Sequence, residues 1–297
     1  MATVSRKSRI GFIGAGTVGG TLSVALSRQG YLVVAAASRS FSSAQALAER
    51  VSGCVACSTA QEVVNDSDVV FVTTSDDAIE PVVSAASWRQ GQAVVHCSGA
   101  ASLDVLEGAV QHGALAGGFH PLQALSSVEN GVKSIPGTTF GIEAGPEMAG
   151  YLKEMALALG GNPILVDSSD KALYHLSGVM LGGLLTTLSA TAAQLWERFG
   201  IERAQGLRAL VPMMRQVSYN LESSGIPGAV AGPYARGDVG TVLKHLETLQ
   251  ARAPEVLPLY CELALAGIPF ALEKGTLKPD RADEIRELLN RFKNVSG

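Results

Sequence analysis

A glycine-rich segment near the start of the chain has the spacing of a phosphate-binding loop. It follows an apolar run and has the form G-x-G-x-x-G, which needs its glycines for three reasons. The first glycine permits a tight turn, the second lets a pyrophosphate approach the backbone, and the third lets a helix pack against the strand. The alternative is a glycine-rich turn without a ligand. The dinucleotide-binding residues predicted here are Gly14, Gly16, Thr17, Val18 and Gly19.

The second apolar run ends in Ser38-Arg39-Ser40, and these residues indicate which dinucleotide to expect. An NAD site usually has an acidic residue about 20 positions after the glycine motif, bound to the ribose hydroxyls. No acidic residue occurs between Gly11 and Ala48. Because a guanidinium and two hydroxyls suit a 2′-phosphate, the sequence predicts NADP as the cofactor. The alternative is that Arg39 is an ordinary solvated side chain.

Two further loops follow apolar runs and are predicted to line the same groove. Ligands of open α/β sheets bind at the carboxyl ends of the strands. Thr74 and Ser75 follow one run, and Ser98 and Gly99 follow another. We predict that these four residues contact the cofactor, the alternative being polar loop residues without a ligand.

Polar side chains elsewhere offer groups for substrate chemistry. Lys171 and His175 are four positions apart on a predicted helix and therefore share a face, while His120 follows an apolar run and precedes a proline. A lysine or histidine polarises a carbonyl as hydride arrives, so these three are candidate catalytic residues. The alternatives are a solvated lysine and packed histidines. The candidate substrate-binding residues are Arg236, which suits a carboxylate, and Asn220.

Alternation of short apolar runs with helical patterns defines the fold that must position these residues. Continuous apolar strands separated by helices indicate a parallel sheet covered on both faces. We predict strands at Arg9–Ile13, Tyr31–Ala37, Val69–Thr73, Ala93–Cys97, Leu115–Phe119, Thr139–Glu143 and Pro163–Val166.

The strand signal stops after Asp167, and helical patterns continue to the end. The predicted helices are Lys171–Phe199, with Gly182-Gly183 as the candidate break, Ala204–Ser223, Val239–Arg252, Leu257–Leu265 and Asp280–Lys293. The sequence therefore predicts an α/β protein. A Rossmann doubly wound parallel sheet occupies residues 1–166, and an all-α C-terminal domain for substrate binding and dimerisation occupies residues 167–297.

Four motifs make the chain resemble a superfamily of NADP oxidoreductases with helical C-terminal domains. The motifs are His96-Cys97-Ser98-Gly99-Ala100, Gly118 to Gln123, Lys171 to His175, and Gly232 to Asp238. The superfamily includes 6-phosphogluconate dehydrogenase and ketopantoate reductase, and the chain resembles most a Rossmann-like subfamily whose helical domain has unknown function. The resemblance implies an active site between the domains. It also implies that Lys171 protonates or polarises a carbonyl.

One position departs from this resemblance. Relatives tend to have Ser-Asn a turn or two after the Lys…His pair, where this chain has Gly182-Gly183. The leading hypothesis is an NADP-dependent oxidoreductase for a small, anionic 2-oxo or 2-hydroxy acid of the ketopantoate kind. The missing Asn motivates the alternative, an NADP(H)-binding sensor or regulatory protein without turnover.

The composition of the chain limits the classes of partner that it is expected to bind. The net charge of −4 and the absence of a basic region argue against nucleic acid and anionic membranes, and no apolar stretch has the length and purity of a membrane helix. Cys54 and Cys57 have C-x-x-C spacing but no second ligand pair, so no metal is expected. We expect a cytoplasmic homodimer that binds a small-molecule substrate, because Val179–Ala193 is apolar all round and must be buried on every side.

Overall fold

Eight strands form one sheet in the computed structural model, which describes residues 4–294. The strands are β1 (Arg9–Ile13), β2 (Leu32–Ala37), β3 (Val55–Cys57), β4 (Val69–Val72), β5 (Ala93–His96), β6 (Leu115–Leu122), β7 (Thr139–Ala144) and β8 (Asn162–Leu165). Their order is β3-β2-β1-β4-β5-β6-β7-β8. Neighbours pair in parallel except β6 and β7, so the last two strands are reversed. The predicted doubly wound α/β fold is confirmed.

Helices on both faces of this sheet connect its strands. They are α1 (Thr17–Arg28), α2 (Phe41–Ala48), α3 (Ala60–Asp66), α4 (Asp76–Ala85), α5 (Glu107–Val110), α6 (Val128–Ser134) and α7 (Pro146–Ala158). All seven predicted strands are present, and β3 is an eighth strand that was not predicted. A row of phenylalanines crosses one face, where the rings of Phe12 and Phe71 stack at 5.2 Å and those of Phe119 and Phe140 at 4.5 Å. Full burial of each such ring stabilises the fold by about 1.5–3 kcal/mol.

The glycine loop is held between the ends of three strands. The backbone N–H of Gly14 donates to the carbonyl of Ala37, and Thr73 Oγ1 donates to the Gly14 carbonyl at 2.7 Å. Gly14 has a φ of +109°, which disfavours any other residue. A Cβ at Gly19 would lie 2.3 Å from the Gly14 carbonyl oxygen, so the missing side chain lets α1 pack against the loop. The tight turn at Gly14 and the close packing at Gly19 agree with the motif, and their contact with a cofactor stays a prediction.

The chain divides into two compact units, Met1–Gly182 and Gly183–Gly297. The predicted boundary at residue 166 marks the end of the sheet, since β8 ends at Leu165. The first unit extends further because α8 (Lys171–Val179) packs on the sheet through Lys171 and Tyr174. A π-helical turn at Met180–Leu184 then interrupts the helix at the predicted break.

The second unit is helical, as predicted. Its helices are α9 (Leu185–Gln194), α10 (Arg203–Gly228), α11 (Val239–Arg252), α12 (Leu257–Lys274) and α13 (Pro279–Asn294). Regular helical geometry in α10 stops at Gly225, near the predicted end. The Asp238 carboxylate accepts from the Thr241 backbone N–H and caps α11.

The large apolar side chains of Val179–Ala193 are exposed in the single chain, and Leu181 reaches 77%. The described part of this chain does not cover this surface, so burial of the helix on every side would need a second copy, and the homodimer stays a prediction. By length and composition alone, Lys171–Phe199 and Pro254–Lys274 are also long and apolar enough to cross a membrane. The absence of a membrane segment and the cytoplasmic location therefore stay predictions.

The close contact at Gly19 predicts a stability difference between two glycine variants. Gly19→Ala should lower the free energy of unfolding by about 1–3 kcal/mol, because its Cβ overlaps backbone atoms. Gly16→Ala is the matched control, since no atom lies within 4 Å of a Cβ added there. Urea denaturation measures both, and equal stability of the two variants would contradict this account of the packing.

Candidate functional site

A groove of about 620 Å³ opens at the carboxyl ends of β1, β2 and β4. Gly14 and Gly16 form one wall, and the open space beside Gly16 is where a pyrophosphate would lie. The predicted residues Ser38, Arg39, Ser40, Thr74 and Ser75 all line the groove. Thr17 and Val18 lie in the first turn of α1 outside its lining, and Gly19 is buried behind the loop. The groove therefore fits a dinucleotide.

The end of this groove that lies beyond β2 is lined by Arg39 and by the serines Ser38, Ser40 and Ser43. Arg39 is exposed and forms no ion pair with any residue from 4 to 294. Ser40 is the N-cap of α2 and shares a hydrogen bond of 2.7 Å with Ser42, while Ser43 lines the groove without having been predicted. No acidic residue stands in the first turn of α2. This end of the groove suits a phosphate.

Ser98 connects the groove to a second site. Its hydroxyl donates to Asp76 Oδ2 at 2.8 Å and accepts from the backbone N–H groups of Ala100 and Ala101. Asp76 directly follows Ser75 of the groove. Because its hydrogen bonds are already made, Ser98 holds the loop after β5 in place, and its predicted cofactor contact stays a prediction.

The second site is a pocket of about 460 Å³ within the first unit. The imidazoles of His120 and His175 line it, with ring centroids 5.8 Å apart. Both rings lie against the buried Gly99: a Cβ there would be 2.4 Å from His175 Cδ2 and 2.8 Å from His120 Nε2. The remaining lining carries no charged residue: Leu122, Gln123, Ala124, Ser177, Gly178, Val179, Leu181 and Gly182. Two predicted catalytic residues thus come together beside the loop after β5.

Tyr174 fixes the orientation of His120. Its hydroxyl lies 3.0 Å from His120 Nδ1 and 3.4 Å from the His120 carbonyl oxygen. The tyrosine ring occupies the space over Gly141, where a Cβ would approach it to 2.6 Å. Gly141 is the register partner of His120 across β6 and β7. The absence of a side chain at Gly141 is therefore what lets Tyr174 reach the histidine.

Lys171, the third predicted catalytic residue, lies deeper. Its Nζ is 2.9 Å from Glu143 Oε2, and the two side chains are only 5% and 12% exposed. A Cβ at Gly118 would lie 3.3 Å from this Nζ and 3.4 Å from Nε2 of the fully buried His96. Gly118 pairs with His96 on β5 and with Glu143 on β7. Lys171 therefore lies over the sheet in a buried ion pair, and it is not part of the pocket lining.

Burial keeps the two strand histidines uncharged near neutral pH. Burial, with smaller contributions from Lys171 and His120, lowers the pKa of His96 to about 3. Burial, then the neighbouring His175 and Lys171, lowers the pKa of His120 to about 4, although Asp76 opposes the shift. A neutral imidazole can donate a hydrogen bond from one nitrogen while it accepts at the other.

The sequence analysis missed two members of this site, Glu143 and Tyr174. An acid inside the apolar strand β7 was a signal for the first, and the position of Tyr174 three residues after Lys171 was a signal for the second. Arg236 and Asn220 are exposed residues of the second unit, and Asn220 Oδ1 accepts from Gln216. Their substrate roles stay predictions. Among residues 4–294, no group of three or more His, Cys, Asp or Glu side chains is placed to hold a metal ion.

Two family matches cover much of the chain. Residues 9–99, which contain the groove, match the family described as NADP oxidoreductase coenzyme F420-dependent. The chain is a Rossmann-type NADP oxidoreductase. Residues 138–266 match a domain of unknown function, DUF2520, so this oxidoreductase has the predicted C-terminal domain as well. NADP as the cofactor is confirmed at the level of the family.

Solved structures share the fold of this NADP oxidoreductase. A protein described as an NADP oxidoreductase from Bacteroides fragilis is 26% identical, with a TM-score of 0.70 over 88% of this chain and 98% of that chain. An imine reductase from Pseudomonas sp. is 21% identical, with a TM-score of 0.59 over 83% and 88%. A 1-pyrroline-5-carboxylate reductase from Streptococcus pyogenes is 14% identical, with a TM-score of 0.58 over 98% and 100%. No curated protein matches the chain.

The position of Arg39 in the groove predicts a cofactor preference. Two charge-assisted hydrogen bonds to a 2′-phosphate are worth about 1.5–3 kcal/mol, which corresponds to a roughly ten- to hundredfold preference for NADPH over NADH. Arg39→Ala should remove most of this preference and leave NADH affinity nearly unchanged. Fluorescence titration with both cofactors measures it.

The matched control for this experiment is Arg28→Ala, which removes an exposed arginine from the far end of α1. It should keep the preference for NADPH. Equal affinity of the unmodified protein for NADH and NADPH would show that Arg39 does not bind the 2′-phosphate. The assignment of the glycine loop to dinucleotide binding would not be affected by that result.

Proposed function

We propose that this oxidoreductase transfers hydride between NADPH and a small carbonyl compound bound at the two histidines. One observation carries the proposal: a short path of contacts joins the dinucleotide groove to the histidine pair. Ser75 lines the groove, Asp76 follows it and binds Ser98, and Gly99 next to Ser98 touches both imidazoles. A reducible group bound at the two imidazoles would therefore be linked to the groove by this short path of contacts.

The residues of the chain would have separate roles in this reaction. NADPH supplies the hydride when bound. His120 and His175 would donate hydrogen bonds to the oxygen on which negative charge develops, and one of them would pass its proton to that oxygen to complete the alcohol. The buried Lys171 acts electrostatically on His120 and favours the same charge, while Glu143 at 2.9 Å offsets part of this effect. In this proposal the lysine acts electrostatically.

The substrate class that we propose first is a small, anionic 2-oxo acid, ketopantoate-like compounds being the first to try. Arg236 and Asn220 are the residues proposed to bind its carboxylate. The lining of the histidine pocket has no cation, so the carboxylate would depend on residues outside it. A C=N group is the second candidate, because the imine reductase and the pyrroline-carboxylate reductase share the fold.

Steady-state oxidation of NADPH with a panel of compounds tests the proposal. The panel contains 2-oxo acids, neutral ketones and cyclic imines, and we expect turnover with at least one 2-oxo acid. His120→Gln combined with His175→Gln should reduce kcat by at least about a hundredfold, as loss of positioned proton donors does. The control is His112→Gln, an exposed histidine outside the pocket lining.

The other possible outcomes of this panel lead to different conclusions about the substrate. Turnover with imines alone would exclude the 2-oxo acid and retain the histidine site. Tight NADPH binding without turnover on any compound would contradict the enzyme proposal and favour the sensor. Hydride transfer only to a deazaflavin would show that the partner is a second redox cofactor.

The role of Lys171 needs a variant that does not leave a buried charge behind. Lys171→Ala alone should cost about 3–5 kcal/mol of stability, because Glu143 would lose its partner. The pair Lys171→Met with Glu143→Leu removes both charges and should stay near the original stability. We expect this double variant to lose at least tenfold in kcat at unchanged NADPH affinity. Full activity in the stable double variant would show that Lys171 is not catalytic.

We also propose that the protein is a homodimer through its second unit. Apolar side chains of α9 and α10 leave an exposed face, defined here by Leu185, Leu188, Met213, Val217 and Leu221. Exposed apolar surface of this extent is typical of an interface.

Light scattering should give twice the monomer mass of 30.8 kDa. Met213→Glu should shift the protein towards monomer, because the charge would be buried in the interface. Leu157→Glu on α7 is the matched control, since Leu157 is 61% exposed and Met213 is 62% exposed. A monomer at micromolar concentration of the unmodified protein would contradict the proposal.

A further inference from the structure

Apart from its two imidazoles, the histidine pocket is lined mostly by apolar groups. Aliphatic side chains come from Leu122, Val179 and Leu181, and two glycines, Gly178 and Gly182, complete this part of the lining. Val179 and Leu181 are exposed, so a ligand that covered them would remove apolar surface from water. An aliphatic group of a ligand would therefore bind here through the hydrophobic effect.

The two other polar side chains of the lining are bonded to the protein itself. Gln123 donates from Nε2 to the carbonyl of Ser134 and accepts at Oε1 from a backbone N–H. Ser177 Oγ donates to the Tyr174 carbonyl at 2.6 Å. Within this lining, the side chains left to orient a polar atom of a ligand are thus the two imidazoles.

The two glycines bound the pocket in different ways. Gly178 and Gly182 are four positions apart, so their α-hydrogens point to the same side of the helix. A Cβ at Gly178 would lie 2.6 Å from Leu122 Cδ1, which shows that this side faces the pocket lining. A Cβ at Gly182 would have no atom of residues 4–294 within 4 Å. Gly182 therefore leaves open space at the pocket wall, one turn beyond Gly178.

The backbone conformation of Gly182 does not itself require glycine. Its φ is not positive, so the position would admit a side chain. It lies in the π-helical turn Met180–Leu184, where most other residues would favour helical geometry more than glycine does. Because neither conformation nor packing explains this glycine, the space beside it is available for a ligand.

We propose that the histidine pocket binds substrates whose reducible group carries an uncharged, aliphatic substituent, and that Gly182 is the specificity-determining residue that makes room for it. The inference rests on the proposed function for the identity of the reducible group. That group would lie at the imidazoles, with its substituent along Leu122 and Val179 towards Gly182. The carboxylate of a 2-oxo acid would remain outside this lining, which carries no cation.

Binding of aliphatic primary amides tests the pocket without any turnover. Amides from acetamide to hexanamide offer a carbonyl oxygen to the imidazoles, and NADPH does not reduce them. NMR titration of the NADPH complex, labelled in its five histidines, measures their affinities. The signals of His120 and His175 are assigned by their loss in His120→Gln and His175→Gln.

We expect the Kd of these amides to fall about fourfold with each added methylene, because each methylene is removed from water. A Kd that does not change with chain length would overturn the proposal. Binding that leaves the signals of His120 and His175 unshifted would overturn it as well.

Gly182→Leu tests the role of the glycine. The added side chain should fill the open space and lower the ratio of hexanamide to acetamide affinity by at least about tenfold. Gly182→Ala should lower the ratio in the same direction by less, and it serves where the larger side chain impairs folding.

Gly183→Leu is the matched control for these variants. Gly183 lies in the same π-helical turn, and a Cβ there also has no atom within 4 Å, but it is outside the pocket lining. Equal chain-length dependence in Gly182→Leu and Gly183→Leu would show that Gly182 does not determine specificity.

Two 2-oxo acids of equal length separate this inference from the proposed function. 2-Oxoadipate differs from 2-oxohexanoate by a second carboxylate at the end of its chain. The kcat/KM should be at least about a hundredfold higher for 2-oxohexanoate, because the pocket lining has no partner for the added charge. Similar values would overturn the aliphatic class and retain the oxidoreductase. Chain-length-dependent amide binding without turnover of any compound would support the pocket and contradict the proposed function.

Discussion

The ion pair between Lys171 and Glu143 constrains much of the first unit, because two charges tolerate burial only when they meet at short distance. Glu143 reaches this position because β7 runs antiparallel to β6 and places it beside Gly118. Lys171 reaches it because α8 begins above the same glycine. The reversal of β7 and the start of α8 are thus tied to one contact. His120, two residues further along β6, is positioned by the same register.

The bounds of two elements were predicted correctly, one from a continuous apolar run and one from helical periodicity with an N-cap. Strand β1 and helix α11 match their predictions, whereas β3 is only three residues long and its run is too short to distinguish from a loop. Helix α12 continues to Lys274 although Pro269 signals an end after Leu265. Packing of Ile268 and Ala271 in the core of the second unit outweighs the local cost of the proline.

The dinucleotide groove was predictable because its recognition residues follow strand ends within short segments of sequence. For the histidine site, the sequence predicted which residues take part but not how they are arranged. Its arrangement depends on pairing between distant strands and on the placement of α8, and neither follows from local spacing. Glu143 and Tyr174 escaped prediction for this reason, since each gains its role from a partner that is far away in the chain.

Three glycines in strands and loops of the first unit leave the space that side chains of α8 occupy. Gly99 accommodates His175, Gly118 accommodates Lys171, and Gly141 accommodates Tyr174, yet none of the three has a positive φ. Their conformations alone would admit alanine. Gly141 is therefore tied to the size of Tyr174 alone, whereas Gly99 also lies against His120 and Gly118 also lies against His96. Residues in contact in this way should vary together among homologues. A larger residue at Gly141, for example, should accompany a smaller one at Tyr174.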